Sequence, residues 1–251
     1  MKTGQVFLIG AGPGDPELIT LKAVRCLQQA DFVLLDDLVN RAVLEHVRPG
    51  ARVVEVGKRG GCKSTPQRFI TRQLIRLARQ GWTVVRLKGG DPFMFGRGGE
   101  EMMALRQAGI TCEIVNGVTS GFAAASGIGV PLTHRDFSQG VAFVTGHTQS
   151  GGAVEWAGLV QSGLTLVVYM GMKNLAAIVG SLRQAGMPAD MPVAVIQHGS
   201  LPYQRHLVAT LDNVVEQVAM EELGSPSIVV IGKVVGLAGT EELTALVAKA
   251  A

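Results

Sequence analysis

The feature that most constrains this fold is a glycine-rich segment at residues 86–101, RLKGGDPFMFGRGGEE. It follows a β-branched run at residues 83–87 that predicts a buried strand, and it precedes an apolar-periodic run at residues 102–108 that predicts a helix. Glycines this dense let a backbone approach a ligand closely. In open α/β sheets such a crevice lies at the carboxyl ends of the strands, so we expect a ligand-binding loop here.

A second glycine turn, GAGPGDP at residues 10–16, follows a predicted strand at residues 6–9. Asp15 is placed to cap a helix, with Pro16 at its first position. The turn is similar to a dinucleotide-binding fingerprint, but Asp15 stands where the third glycine belongs and Pro13 offers no amide donor. We therefore expect a tight strand-to-helix turn rather than a nicotinamide cofactor site.

Strands and helices alternate along the whole chain, which predicts an α/β fold. Further strands are predicted at residues 32–35, 52–56, 111–115, 141–145, 164–170, 193–196, 206–211 and 228–231. The 251 residues suit one large domain or two small ones. An aperiodic stretch with proline at residues 131–140 is predicted to link an N-terminal domain, residues 1–130, to a C-terminal domain, residues 141–251.

Composition and charge indicate which partners, metals and cellular location to expect for this protein. No apolar run approaches the roughly 18 residues of a membrane helix, so no membrane partner is expected. Three scattered cysteines and no signal peptide predict reduced thiols and a cytoplasmic location. No metal site is expected, because no cysteine or histidine pair has ligand spacing. The net charge of +3 fits an anionic small molecule and does not require nucleic acid.

Three patterns leave alternatives open. The pair Asp36-Asp37 could hold a ribose hydroxyl or simply solvate a loop. Arginines recur on one face of the helix predicted after Thr65-Pro66, which fits either a solvated face or a polyanion contact. Those arginines are Arg68, Arg72, Arg76 and Arg79. The small residues at 119–127 fit a close-approaching ligand or tight helix packing.

The chemistry-bearing residues point to a bound polycarboxylate. No nucleophile elbow or Walker loop is present. Basic side chains flank the glycine turns, and arginine pairs with carboxylates through two parallel hydrogen bonds. These basic residues are Lys58, Arg59, Lys63, Lys88, Arg97, His134, Arg135 and Lys173.

These motifs resemble those of a known family. GAGPGDP with LITLKA at residues 18–23 is similar to the opening of tetrapyrrole methylases, and residues 86–101 resemble the long motif of uroporphyrinogen-III C-methyltransferases. PLTHR, VTGH and YMGM follow in the expected order, so the resemblance spans nearly the whole chain. It implies two α/β domains with the active site in the cleft between them, a homodimer, a small-molecule tetrapyrrole substrate, and neither nucleic acid nor membrane as a partner.

The resemblance also implies a reaction: methyl transfer from S-adenosylmethionine, leaving S-adenosylhomocysteine, to carbons 2 and 7 of uroporphyrinogen III. The product is precorrin-2, which feeds siroheme, cobalamin and haem d1 biosynthesis. Implied cofactor contacts are Pro13, Gly89, Gly90, Asp91, Met94, Thr119, Ser120, Met172, Gly199 and Ser227. Implied substrate contacts, also the candidate catalytic residues, are Arg97, Glu100 and Arg135.

One departure from the family pattern concerns substrate binding. Asp37 stands where members often carry arginine, which makes Lys58 and Arg59 the candidates to replace that carboxylate contact. Glu100 is predicted to stabilise the cationic ring formed on methylation or to accept its proton. The alternative is a first-turn carboxylate favoured by the helix dipole.

Three other activities fit the same residues less closely. An rRNA ribose methyltransferase of the same superfamily has only the recurring arginines at residues 68–79 in its favour. Another precorrin methyltransferase, or a tetrapyrrole-binding module without catalysis, remains an alternative.

Overall fold

A computed structural model describes residues 3–57, 66–147 and 154–238. The chain forms two compact units, Met1–Ser120 and Gly121–Ala251. Each contains one five-stranded sheet with helices, so the prediction of two α/β domains is confirmed. No helix in the described part of the chain is long and apolar enough to cross a membrane.

The first unit is built on a fully parallel sheet. Its strands are β1 Gln5–Gly10, β2 Phe32–Leu35, β3 Arg52–Glu55, β4 Val84–Lys88 and β5 Thr111–Val115, and its helices are α1 Leu21–Leu27, α2 Gln67–Arg79 and α3 Gly98–Gln107. The spatial order is β3-β2-β4-β1-β5. Because every strand runs the same way, all five carboxyl ends meet at one edge of the sheet.

Helices cover both faces of this sheet. Ala23 and Leu27 of α1 pack with Phe7 and Ile9 on one face, whereas α2 and α3 pack on the other face, against residues that include Val6 and Leu8. The neighbouring strands β1 and β4 therefore send their following helices to opposite faces. Such a switch point opens a crevice at the strand ends, which is where α/β sheets bind ligands.

The second unit has a mixed sheet. Its strands are β6 Val141–Thr145, β7 Thr165–Tyr169, β8 Pro192–Gln197, β9 Arg205–Thr210 and β10 Ser227–Ile231, and its helices are α4 Ser120–Ser126, which begins at the unit boundary, α5 Trp156–Ser162, α6 Leu175–Gln184 and α7 Val214–Met220. The order is β6-β7-β10-β8-β9, with β10 antiparallel to both neighbours. The start of β10 therefore lies at the same edge as the carboxyl ends of β7 and β8.

The unit boundary and the predicted linker differ in position. The division between the units falls after Ser120, ahead of the predicted linker at residues 131–140. Within that stretch the backbone closes a tight turn, with His134 and Ser138 exchanging hydrogen bonds of 2.8 and 3.0 Å. Leu132 and Ser138 are buried. The predicted domain bounds of 1–130 and 141–251 stay a prediction.

Two helix starts differ from the sequence pattern. The helix predicted directly after Asp15 is interrupted: Asp15 caps a 3₁₀ turn at Pro16–Leu18, and α1 begins afresh behind Thr20, whose hydroxyl accepts from Ala23 N at 3.2 Å. Asp91, which precedes a proline as Asp15 does, likewise caps only a turn, and α3 begins after Arg97. In both places the carboxylate binds the backbone two residues on, which closes a local turn instead of a helix.

Candidate functional site

Three loops of the first unit meet at the carboxyl ends of β1, β4 and β5. Gly12 and Gly90 form an antiparallel bridge, with Gly90 N donating to Gly12 O at 2.7 Å. A Cβ atom on Gly10 or on Gly117 would overlap the Gly90 carbonyl oxygen. The glycines are therefore required by backbone-to-backbone contact, which brings the two glycine turns of the sequence into one cluster.

Asp91, a predicted cofactor contact, ties two of these loops together. One carboxylate oxygen accepts from Phe93 N at 2.8 Å. The other accepts from the Asn116 side-chain amide at 3.0 Å and from Gly117 N at 3.1 Å. The Asp91 carboxylate therefore holds the β4 and β5 loops together, whatever else it contacts.

Gly90 lies beside Thr119 and Ser120, and a Cβ there would make ordinary van der Waals contacts with both. Gly90 has φ +63, and the nearest atom to that position is the Ser120 hydroxyl oxygen at 3.8 Å. Thr119 is buried next to Ser120, and Met94 donates its amide to Asp91 O at 3.3 Å. The remaining predicted cofactor residues of this unit, Pro13 and Gly89, lie in the β1 and β4 loops themselves. The structure thus brings the predicted residues of the first unit to one strand-end edge.

Arg97 and Glu100 form an exposed pair at the start of α3. The Arg97 guanidinium donates twice to the Glu100 carboxylate, at 2.9 and 2.6 Å. These bonds lower the pKa of Glu100 and raise that of Arg97, so both groups are charged. Arg97 has a left-handed backbone, φ 58, and follows Phe95 at φ 54. Non-glycine residues rarely adopt this conformation, and it is enriched at functional sites.

A buried charge network lies behind this loop. Arg86 is 2% exposed and donates to Glu101 at 3.2 Å and to Asp36 at 3.0 Å. Glu101 is fully buried and also accepts from Gln67 at 2.7 Å. The Lys88 ammonium lies 3.3 Å from the second Glu101 oxygen. The expectation that Lys88 meets a polycarboxylate ligand is wrong, because this ammonium is buried against Glu101.

The other residues at the β2 end are also engaged. Asp36 accepts from Asp37 N at 3.0 Å as well as from Arg86, and a cavity of about 60 Å³ opens between Asp36, Arg41 and Glu55. A ribose contact for Asp36 stays a prediction. Lys58 and Arg59, the candidates to replace the family arginine at Asp37, lie outside the described residues, as do Lys63 and Cys62.

The second unit collects its own predicted residues at one edge. Met172 opens a 3₁₀ turn after β7, Gly199 follows β8, and Ser227 begins β10 opposite Gln197. Met170, His198 and Ser200 have left-handed backbones at this edge, φ 56, 53 and 67. A Cβ on Gly199 would press on the Cβ of Ala124 at 2.7 Å, so this glycine is needed for packing against α4.

Arg135 projects from the tight turn between His134 and Ser138. Its side chain is exposed and borders an open depression together with Thr133, Asp136 and Gln139. An exposed guanidinium in an open depression suits contact with a carboxylate.

Comparison with known proteins identifies the family. The family model described as Tetrapyrrole (Corrin/Porphyrin) Methylases matches residues 5–215. A protein of Pseudomonas aeruginosa named uroporphyrinogen-III C-methyltransferase is 55% identical over 232 residues, covering 92% of this chain and 94% of its own length. The chain belongs to the tetrapyrrole methylase family.

Two further members of the tetrapyrrole methylase family are similar to this chain. The structure of uroporphyrin-III C-methyltransferase from Thermus thermophilus complexed with S-adenosyl homocysteine is 42% identical, with a TM-score of 0.81, and covers 93% of this chain and 100% of that one. The siroheme synthase of Zymomonas mobilis is 49% identical over 237 residues, 94% of this chain. The chain spans 50% of the length of that synthase.

In this tetrapyrrole methylase, residue patterns alone missed the buried network of Asp36, Arg86, Lys88 and Glu101. A signal was present, because β4 is otherwise apolar and central, yet carries Arg86 and Lys88. Charges in a strand covered on both faces must find partners. The sequence did not identify the carboxylate partners of these charges. Glu100 and Glu101 are adjacent in sequence, and only the position of the helix start decides which of the two side chains is buried.

Two observations on the described part of this tetrapyrrole methylase concern candidate metal ligands and one partly buried thiol. Residues 3–57, 66–147 and 154–238 contain no cluster of three His, Cys, Asp or Glu side chains that could hold a metal ion. Burial raises the pKa of the Cys112 thiol to about 11, so that this thiol is protonated and a poor nucleophile near neutral pH.

Proposed function

We propose that this chain is an S-adenosylmethionine-dependent C-methyltransferase that methylates uroporphyrinogen III at carbons 2 and 7 to give precorrin-2. The observation that carries the proposal is the 55% identity to the Pseudomonas aeruginosa uroporphyrinogen-III C-methyltransferase over nine-tenths of both chains. The Thermus thermophilus relative, whose structure holds S-adenosyl homocysteine, supports the choice of methyl donor.

The residues described above fit this donor. Gly90 lies at the strand-end crevice with a left-handed backbone, φ +63, which favours glycine. We propose that Gly89, Gly90, Asp91, Met94, Pro13, Thr119 and Ser120 hold the cofactor, together with Met172, Gly199 and Ser227. When bound, S-adenosylmethionine supplies a methyl group already activated by its sulfonium charge. The protein then has to align donor and acceptor and to place charge where the transition state needs it.

Arg97 and Arg135 are proposed to bind substrate carboxylates, with Lys58 and Arg59 as further candidates. Arg97 presents a planar guanidinium that already binds one carboxylate through two hydrogen bonds, in the geometry that a substrate carboxylate would adopt. Glu100 remains ionised, because Arg97 lowers its pKa. We therefore favour stabilisation of the cationic ring by Glu100 over proton acceptance.

The assembly and location are proposals as well. We propose a cytoplasmic homodimer that binds neither nucleic acid nor membranes. The arginines of α2, residues 68, 72, 76 and 79, are all exposed, which is compatible with the solvated-face interpretation.

A direct assay tests the function. Purified protein is incubated anaerobically with S-adenosylmethionine and uroporphyrinogen III, and the product is weighed by mass spectrometry. We expect two added methyl groups. A single stable methylation, or transfer only to a later precorrin, would assign another precorrin methyltransferase. No transfer to any tetrapyrrole together with retention of rRNA in filter binding would favour the ribose methyltransferase.

A further inference from the structure

We propose that the buried ion pair Lys88–Glu101 is a positioning device for Arg97, and that it holds the loop of Phe95, Gly96 and Arg97 from beneath. The proposal rests on the proposed function only in taking Arg97 as a residue that binds substrate carboxylates. Neither Lys88 nor Glu101 is exposed enough to contact a substrate itself, since they are 3% and 0% exposed. Both are therefore positioning residues.

The first step of the argument is that Lys88 supports the loop directly. Lys88 is the last residue of β4, and its Cε atom lies 3.3 Å from the position of a Cβ on Gly96. The lysine stem thus lies next to Gly96, where an added Cβ would first meet the Pro92 carbonyl oxygen at 2.8 Å. A change in the direction of this stem would move the residue immediately before Arg97.

The second step is that Glu101 supports the loop from its other end. The amides of Glu100 and Glu101 donate to the Arg97 carbonyl at 3.1 and 3.3 Å, so the first turn of α3 begins on Arg97. One Glu101 carboxylate oxygen is bound by Gln67 and Arg86, at 2.7 and 3.2 Å. The carboxylate therefore fixes the helix start on the body of the unit.

The third step is that the second Glu101 oxygen makes no hydrogen bond of good geometry within the described residues, and the Lys88 ammonium lies 3.3 Å from it. Burial and the neighbouring Arg86 lower the pKa of Lys88, while the Glu101 charge opposes that change. A buried pair of this kind contributes little net stability compared with apolar side chains, but it can select one geometry among alternatives. Here the geometry selected contains two left-handed residues, Phe95 and Arg97, which need support from their surroundings.

The test is a kinetic cycle between Glu101→Gln and Arg97→Ala. Glu101→Gln keeps the shape and the oxygen that accepts from Gln67 but removes the charge facing Lys88. We expect the KM for uroporphyrinogen III to rise about tenfold with kcat changed less than about threefold, because the binding group is misplaced and not removed. In the Arg97→Ala background the same substitution should add almost nothing.

Two outcomes would overturn the proposal. The first is that Glu101→Gln leaves the KM unchanged. The second is that Glu101→Gln raises the KM by the same factor in the Arg97→Ala background as in the wild type, which a general loss of stability would produce. The matched control is Lys22→Met, which breaks the exposed pair Lys22–Glu113 in the same unit and should leave KM unaltered. If Glu101→Gln does not fold, the double variant Lys88→Met with Glu101→Gln, which removes both buried charges, takes its place in the kinetic cycle.

A second readout does not depend on the reaction. Amide hydrogen exchange of residues 93–101 should accelerate in Glu101→Gln and not in Lys22→Met, because the Gly98 and Glu100 amides are held in this loop. Unchanged exchange would contradict the positioning role. If the wild type transferred no methyl group, the proposed function would be wrong. Amide hydrogen exchange in residues 93–101 would still test whether the Lys88–Glu101 pair positions this loop.

Discussion

At the scale of single residues, the two exposed arginines proposed for substrate binding can be separated from the cofactor side. Arg97→Ala and Arg135→Ala should each raise the KM for uroporphyrinogen III by about tenfold or more, because a charge-assisted, two-bond contact with a carboxylate is lost. Calorimetry should find the Kd for S-adenosylhomocysteine unchanged. Arg68→Ala, an exposed arginine of α2, is the matched control. An equal loss of cofactor affinity in both variants would refute the proposed division of roles.

The adjacent glutamates Glu100 and Glu101 should behave differently on removal of one charge. Glu101→Gln leaves Lys88 and Arg86 buried with less compensation, which is expected to lower the free energy of unfolding by about 3 kcal/mol. Glu100→Gln weakens an exposed ion pair, which is expected to cost about 0.5 kcal/mol or less. Urea unfolding of the two variants compares them directly. Equal losses would mean that burial does not distinguish these carboxylates.

At the scale of elements, the strand-end loops of the first unit depend on glycines that touch backbone. Gly117→Ala would drive a Cβ into the Gly90 carbonyl, so we expect a loss of about 2 kcal/mol or more in the free energy of unfolding, with impaired cofactor binding. Gly180→Ala is the control, because its Cβ would meet nothing within 4 Å in α6. It should stabilise by about 0.5–1 kcal/mol. Thermal melts that rank the two variants in the opposite order would exclude this account.

The switch point between β1 and β4 explains why the loops converge there. Parallel strands bring both glycine turns to one edge, and helices on opposite faces leave the crevice uncovered. Repetition of the Gly-Asp-Pro pattern was visible in the sequence. The bridge between Gly12 and Gly90 was not, because residues so far apart are joined only by the sheet order.

At the scale of the whole molecule, cofactor binding should stabilise the native chain. S-adenosylhomocysteine at about 100 times its Kd should add about 2.7 kcal/mol to the free energy of unfolding and raise Tm accordingly. NAD should not stabilise the chain, because Pro13 offers no amide donor in the first glycine turn and Asp15 stands where the third glycine of a dinucleotide-binding turn belongs. Differential scanning calorimetry measures both. A stabilising effect of NAD and none of S-adenosylhomocysteine would overturn the choice of cofactor.

Sedimentation of the same sample tests the proposed homodimer.

The sequence by itself determined the fold class, the strand order along the chain, the family and the class of reaction. Local signals sufficed for these: β-branched runs set strands, glycine and proline set turns, and a long motif is specific to one family. The strand predicted at residues 206–211 is β9, Arg205–Thr210, which pairs with β8 in the antiparallel direction.

Only the tertiary structure decided which charges are buried and where α3 begins. The sequence presents Lys88 as one of several basic residues near a glycine loop and Glu100 as the notable carboxylate, whereas the structure buries Lys88 and turns Glu101 inward. The reason is physical: burial of a charge depends on partners from β2, β4, α2 and α3 that meet in space. Within residues 86–101, the sequence indicated the exposed part, which is the proposed binding loop, whereas the burial of Lys88 against Glu101 was seen only in the structure.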